Sequence, residues 1–449
     1  MFFHQLLDPD LGCASYVLGC EGRAVVVDPG IDTGRYLDCL AAEDARLETI
    51  LETHTHADHV SGREALAAAT GARIRVPWGE GEEALAASEV IEVGAVAIEV
   101  IAAAGHRPEH IALAVTDSAR GKMPWLLLSG DSLLVGDLAR PDLAVDPRDG
   151  SHALHETLAR LCELGDGVEV WPGHVGGSLC GGPGLSAKTS STIGFERLAN
   201  PLVSCADGDQ LFRALMEKVP PRPPTVERVV ARNAGGPPPP PPLRALGAEE
   251  VREALGQRPG TILVDGRAAA DFEAAHLPGS VNLPLGGSGL GTRAGWVIDP
   301  EAPIVVLADG EDDCADLALR LRAVGIDGIL GTVPGGVADL RAAGLRLHSE
   351  PSIGPGELAR RLDGFVVVDV RERAEWEEGH VEGSVHLPLH LLRDADRLPG
   401  APLAVACMSG ARAAFAASWL RRQGHEARRV GPGGIPDLAA HGIDLAVGG

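Results

Sequence analysis

Short apolar runs that break off at a polar, ligand-type residue recur through the first part of the chain. Residues 14–18 and 23–27 read as short strands. The second run is apolar enough for a central strand and ends in the turn signal Asp28-Pro29-Gly30. Residues 47–51 form a third strand-like run, and a helix-like pattern follows over residues 62–70. Further runs at 98–103, 111–115, 125–128 and 168–171 repeat the theme. The pattern then stops: Gly235 and Gly236 precede six consecutive prolines, residues 237–242. Such a stretch forms neither a helix nor a central strand; it adopts an extended polyproline conformation and acts as a semi-rigid spacer. Beyond it, short apolar strands alternate with helical runs, which predicts doubly wound α/β units. The expected organisation is a first domain over residues 1–234, a spacer at 235–242, and two further domains at 243–349 and 350–449.

Composition narrows the function classes. The length of 449 residues suits two to four domains. Hydrophobic residues make up 45% and aromatics only 3%, so the cores must be built from Ala, Val and Leu. The formal net charge of -24 argues against nucleic acid or an anionic membrane as partner, since both demand clustered Lys and Arg. Residues 1–8 carry neither a basic region nor a long apolar core, so no signal peptide and no membrane span is expected. Eight cysteines are scattered without a CxxC pair, which fits reduced thiols in a cytoplasm.

The richest of the run ends is Thr53-His54-Thr55-His56-Ala57-Asp58-His59. Imidazole and carboxylate together suit a borderline transition metal, and the end of a strand holds them on a rigid support. The bland reading, a solvated His-rich loop, does not explain why matching residues recur at later strand ends. Gly105-His106 follows residues 98–103, with His110 as a competing candidate; the close backbone approach that Gly105 permits favours His106. Asp131 ends the apolar run Trp125-Leu126-Leu127-Leu128-Ser129-Gly130, where a carboxylate is costly unless paired or metal-bound. Pro172-Gly173-His174 ends another. Asp28 reads either as a turn former or as a partner that orients a metal ligand.

Together, His-x-His-x-Asp-His at 54–59, Gly105-His106, Gly130-Asp131 and Pro172-Gly173-His174 resemble the metallo-β-lactamase fold, with all of its metal motifs in order. The resemblance implies an α/β class, an αββα sandwich with the metal at one edge. Within that superfamily, residues 105–111, 136–143 and 177–181 resemble the persulfide dioxygenase branch. That branch implies one Fe(II) per chain on His54, His106 and Asp131, two histidines and a carboxylate with open positions. His56, Asp58, His59 and His174 would then surround the metal or line a vacant second site. In a two-zinc hydrolase of the glyoxalase II kind, the same four would help hold two Zn(II). Residues 186–201 resemble the stretch that follows in dioxygenase–rhodanese fusions, and their Ser/Thr cluster reads as a helix cap. Arg140 is read as pairing with a nearby Asp rather than holding a substrate carboxylate.

The region after the spacer is duplicated. Asp265 and Arg267 match Asp369 and Arg371, and His276, Gly279 and Ser280 match His380, Gly383 and Ser384, at a constant offset of 104 residues. These D-x-R and H-x-x-G-S motifs resemble the rhodanese family in each copy. In the second copy, residues 403–406 lead into Cys407-Met408-Ser409-Gly410-Ala411-Arg412 and then a helix from about Ala413. Backbone N–H groups and a helix N-terminus around Cys407, with Arg412 close by, favour the thiolate and support a persulfide carrier. The six-residue loop matches the length found in sulfur-transferring rhodaneses. In the first copy, Asp309 is expected in the place of the nucleophile, the Arg is missing, and Cys314 is displaced; this unit is read as catalytically inactive.

The resemblances imply an enzyme, homo-oligomeric as relatives often are. A low-molecular-weight thiol persulfide, O2 and water would give sulfite and thiol, and Cys407 would move sulfane sulfur to or from thiosulfate. One site's product would be the other's co-substrate, at a concentration raised by the tether. Two rivals stand: the two-zinc thioester hydrolase with an attached sulfur carrier, and a non-enzymatic sulfur-binding module with a closed, structural metal.

Overall fold

The apolar runs of the N-terminal region are strands because both of their faces are covered. The computed structural model describes the chain apart from residues 144, 177, 179, 183, 218, 220, 236–240, 288 and 449, and apart from the side chains of 394, 396 and 397. Most of the spacer and Gly177 and Leu179 of the 177–181 motif therefore lie outside the described residues. Two compact units are present, Met1–Arg222 with Val226–Pro237, and Pro223–Thr225 with Pro238–Gly449.

In the first unit, β1 (Phe2–Leu7), β2 (Ala14–Cys20), β3 (Arg23–Val27), β4 (Arg46–Leu51) and β5 (Arg73–Arg75) form one sheet in that order. A second sheet uses β6 (Val90–Val93), β7 (Val96–Ala102), β8 (Ile111–Asp117), β9 (Leu126–Gly130), β10 (Glu169–Pro172) and β11 (Ser191–Thr192), in the order β11-β10-β9-β8-β7-β6. Alternate residues divide the burial, as the two-residue period of a strand requires. Val25 and Val27 share the inter-sheet core with Ile98, Val100, Leu113 and Leu128. Ala24 and Val26, between and before them, pack with Tyr36, Leu40 and Leu66 of the helices Gly34–Ala42 and Arg63–Thr70. On the far face, Leu127 and Val170 meet Leu154, Leu158, Leu161 and Leu211 of the helices Pro147–Cys162 and Gly208–Met216. The result is the expected helix–sheet–sheet–helix sandwich.

Local departures have simple causes. Strand β1 has no counterpart in the hydrophobic pattern, because all six of its residues are only partly buried and no alternation shows. It nevertheless pairs antiparallel with β2 along its whole length. The strand expected from Trp125 begins at Leu126; Trp125 itself is exposed, with the Arg120 guanidinium 4.5 Å from its ring centroid. Thr192 caps the helix Ile193–Ala199 by accepting from the Phe195 N–H (3.2 Å), as the Ser/Thr cluster suggested.

The second unit repeats itself. Strands β12 (Ile262–Asp265), β13 (Val281–Asn282), β14 (Ile304–Leu307) and β15 (Ile329–Val333) form a parallel sheet in the order β13-β12-β14-β15. Strands β16 (Val366–Asp369), β17 (His380–Val381), β18 (Val385–His386), β19 (Leu403–Ala406) and β20 (Ala427–Arg429) follow, and β18-β16-β19-β20 is again all parallel. Strand β17 pairs instead with β21 (Leu445–Ala446). The duplicated D-x-R motif is a buried fork: Arg371 Nη2 donates to Asp369 Oδ2 (2.7 Å) and to the Gly379 carbonyl (2.6 Å). Arg267 does the same with Asp265 (2.6 Å) and Ala275 (2.8 Å). Each fork ties a strand end to the turn before the H-x-x-G-S motif.

Breaking one partner of such a pair leaves the other charge buried. Arg371→Met is expected to destabilise the second unit by about 3–5 kcal/mol, read from denaturant unfolding, with the unfolding of the first unit unchanged.

Candidate metal centre and thiol loop

Four strand ends of the sandwich converge at one edge. The irregular turn after β4 carries His54, the loop after β7 carries His106, Asp131 follows β9, and His174 follows β10. Each ring nitrogen that faces away from the centre is engaged. Asp28 accepts from the Thr53 N–H and the Thr53 hydroxyl (2.7 Å each), and Thr53 Oγ1 accepts from His54 Nδ1 (2.9 Å). The carbonyl of Arg140 accepts from His106 Nδ1 (2.8 Å). Both rings therefore hold their proton on Nδ1 and present the Nε2 lone pair inward.

Those two lone pairs and Asp131 Oδ2 lie together with no hydrogen-bond partner among the described residues. Asp131 Oδ2 is 3.7 Å from His54 Nε2 and 3.6 Å from His106 Nε2. All three residues are fully buried. Burial and the facing His56, His110 and His106 rings hold His54 well below the usual histidine range, and burial lowers His106 as well. Burial alone would raise the Asp131 carboxyl, but its contact with His174 outweighs this and keeps it ionised. Two neutral imidazoles and a carboxylate aimed at one point, without a proton between them, fit a divalent cation.

The other residues of the motif do other work. His174 Nδ1 donates to Asp131 Oδ1 and Nε2 to Asp58 Oδ2 (2.7 Å each). Burial works against a charge on His174, but Asp131, Cys180, Asp58 and Cys13 together favour it, and its pKa is raised well above the usual value. Asp58 and His59 are joined by Cys13, whose thiol lies 3.1 Å from Asp58 Oδ2 and 3.4 Å from His59 Nδ1. His56 directs its nitrogen to neither group, although its ring centroid lies 4.2 Å from that of His54 and 4.4 Å from that of His59: its Nε2 lies 3.0 Å from Glu52 and 3.2 Å from Asp28. Burial opposes protonation there too, and Asp28 with Glu52 overcomes it. His110 accepts the Asp131 N–H on Nε2 (2.9 Å) and is pushed down to about 4 by burial and the neighbouring His106. Arg140 forms the expected pair with Asp142, at 2.7 and 2.9 Å. Gly173 is required by close approach, since a Cβ there would lie 2.6 Å from Asp131 Oδ1.

Glu52 and Cys13 were not among the sequence candidates. Glu52 carries the signal used for Asp131, a carboxylate directly after an apolar strand. Cys13 carries none; it reaches the site because the start of β2 bridges to His174.

In the second unit, Cys407 follows β19 and is buried, and its Sγ accepts from the Gly410 N–H (3.1 Å) just before the helix Ala411–Arg422. Gly434 lines this cradle, where a Cβ would collide with the Cys407 carbonyl. Arg412 is not a free cation: both terminal nitrogens meet Glu375 at 2.6 Å. In the first copy, sheet register corrects the expected position. Asp265 pairs with Leu307 as Asp369 pairs with Ala406, so Ala308, not Asp309, stands where Cys407 does. Only residues 308–310 separate β14 from the helix Glu311–Ala323, one fewer than the four of 407–410, so that loop is also too short to match the cradle. Cys314 is buried within that helix.

Residues 8–174 match the family model of the metallo-beta-lactamase superfamily, and residues 247–343 and 354–441 each match that of the rhodanese-like domain. The hydroxyacylglutathione hydrolase of Anaeromyxobacter dehalogenans (strain 2CP-C) is 33% identical over 168 residues, 36% of this chain and 60% of that protein. The chain thus spans less than two thirds of that relative. The hydroxyacylglutathione hydrolase of Pseudomonas putida (strain ATCC 700007 / DSM 6899 / JCM 31910 / BCRC 17059 / LMG 24140 / F1) is 33% identical over 208 residues, 41% of this chain and 78% of that protein. A crystal structure of a metallo-beta-lactamase from Staphylococcus aureus subsp. aureus COL is 27% identical with a TM-score of 0.65, covering 74% of this chain and 98% of that one. The chain belongs to the metallo-β-lactamase superfamily, and its metallo-β-lactamase domain is followed by two tandem rhodanese-like domains.

Proposed function

We propose that this protein is an iron persulfide dioxygenase joined to a sulfurtransferase. A low-molecular-weight thiol persulfide, O2 and water give the thiol, sulfite and two protons at the metal centre. The observation that carries this reading is the three-donor face of His54, His106 and Asp131, from which His56 is drawn away by Asp28 and Glu52. Two histidines and one carboxylate with open positions suit non-haem Fe(II). Bound there, iron would supply the redox chemistry that joins O2 to the terminal sulfur.

The chain's own residues do the positioning. Asp28 through Thr53, and the Arg140 carbonyl, fix the two imidazole tautomers. His110 and His174 hold Asp131 from its backbone and from its outer oxygen. At the second site, a Cys407 persulfide transfers its outer sulfur to sulfite, which leaves as thiosulfate and returns the Cys407 thiol. The Gly410 N–H is placed to stabilise negative charge on Sγ. The eight free cysteines support a reducing compartment, and we assign the protein to the cytoplasm. Among the described residues, no helix is long and apolar enough to cross a membrane.

A second reading, a two-zinc thioester hydrolase with an attached sulfur carrier, is favoured by the hydroxyacylglutathione hydrolase relatives and by the neighbouring Cys13, Asp58, His59 and His174 group. Metal content separates the two. Protein purified anaerobically is expected to hold about one iron per chain and to consume O2 on addition of a thiol persulfide. About two zinc ions with thioesterase activity and no O2 uptake would favour the hydrolase instead. Asp131→Asn is expected to abolish O2 uptake and iron retention; full activity in that variant would remove the iron assignment. Cys407→Ser is expected to abolish thiosulfate formation while O2 uptake persists, and loss of both would show that the two sites are obligately coupled.

A further inference from the structure

The turn that carries His54, His56, Asp58 and His59 lies between β4 and the helix Arg63–Thr70 without regular secondary structure. Its buried backbone groups must find partners outside it. Three of those groups are met by one side chain from far along the sequence. Asn233 Nδ2 donates to the carbonyls of His56 (2.9 Å) and His59 (2.8 Å), and Asn233 Oδ1 accepts from the Ser61 N–H (2.9 Å). Two donors and one acceptor satisfied at once fix which way the amide points. The main chain of Asn233 joins in, for its carbonyl accepts from the Arg63 guanidinium. Arg63 Nη1 lies 3.8 Å from Glu52, the carboxylate that draws His56 away from the metal face.

Asn233 is 2% exposed and is the last residue of the helix Val226–Asn233. Only Ala234 separates it from the Gly/Pro spacer at 235–242 in the sequence. Neither composition nor pattern singles it out, and it lies well beyond the region matched by the metallo-β-lactamase model.

We propose that Asn233 is a positioning residue for the metal centre. It sets the backbone of the turn so that His54 meets His106 and Asp131, and it makes the segment that leaves the unit toward the rhodanese-like domains part of the metal site's support. The proposal rests on the metal-centre reading above but not on which metal is bound. Loss of an outer partner of a metal ligand typically costs about 10–100-fold in affinity, and Asn233 supports the turn at three points.

The test uses the full chain in wild-type, Asn233→Ala and Val229→Ala forms. Val229 is fully buried on the same helix, so its truncation weakens the helix's docking while leaving the three hydrogen bonds. Affinities for Fe(II) and, separately, Zn(II) are measured by chelator competition at a temperature where circular dichroism shows all three forms folded. Sulfur transfer at Cys407 serves as the internal standard. Asn233→Ala is expected to bind either metal about 10–100-fold more weakly and to release it faster, with sulfur transfer unchanged. Val229→Ala is expected to melt at a lower temperature yet hold metal as wild type does. If Asn233→Ala does not fold, Asn233→Asp, which keeps the acceptor and removes both donors, is expected to show the same loss. Wild-type affinity in the asparagine variants, or affinity lost in step with stability in both Val229 and Asn233 variants, would overturn the proposal. A chain that binds zinc and not iron would refute the dioxygenase reading and leave this test intact.

Discussion

The metal unit is built around a carboxylate oxygen that has no proton donor among the described residues. Asp131 Oδ2 lies among the His54 and His106 lone pairs, and the N–H groups of both rings are directed elsewhere. Such an arrangement is unfavourable by itself, because three buried electron-rich atoms face one another. It persists because each group is over-determined from behind. Thr53 and Asp28 hold one ring, the Arg140 carbonyl holds the other, and His110 with His174 hold the aspartate. A divalent cation is the species that relieves all three contacts together, so the surrounding sandwich reads as a device for keeping that point electron-rich.

The histidines of this site show how one residue type takes opposite charge states a few ångströms apart. His54 and His106 are kept neutral by burial, whereas His56 and His174 lie between pairs of carboxylates that favour the imidazolium. Asp28, Glu52, Asp58 and Asp131 thereby each face an imidazole, and among the described residues Glu52 Oε2 and Asp131 Oδ2 are left without a hydrogen-bond partner. Under the one-iron proposal, metal binding falls to one group and charge balance to the others, although all of them sit in motifs that look alike on paper.

The two rhodanese-like copies make a parallel point about how little separates a loop with a cysteine from one without. Their sheets share strand order and direction, and their Asp–Arg forks superimpose in role. The difference lies in a loop shorter by one residue and in an alanine at the register position of Cys407. A cradle of backbone N–H groups needs a loop long enough to curl around the sulfur, and three residues before the helix do not provide it. In the second copy, both terminal nitrogens of Arg412 are taken up by Glu375, and the Gly410 N–H donates to Cys407 Sγ.

What the sequence determined by itself was local in origin. Strands buried on both faces show as continuous apolar runs; ligand-type residues at their ends mark the edge of the sandwich; the proline run marks a spacer; and the offset of 104 residues marks the duplication. Residue type and short-range period suffice for each. The partly buried strand β1, the Cys13 thiol beside His174, the removal of His56 from the metal face, the alanine in the nucleophile position and the Asn233 clamp were decided only by tertiary structure. Each depends on which distant segment supplies a hydrogen-bond partner or a register neighbour. A sequence shows that a histidine is present at a strand end, but the direction of its lone pair is set by whatever binds the other ring nitrogen, and for this site those partners arrive from other strands and loops.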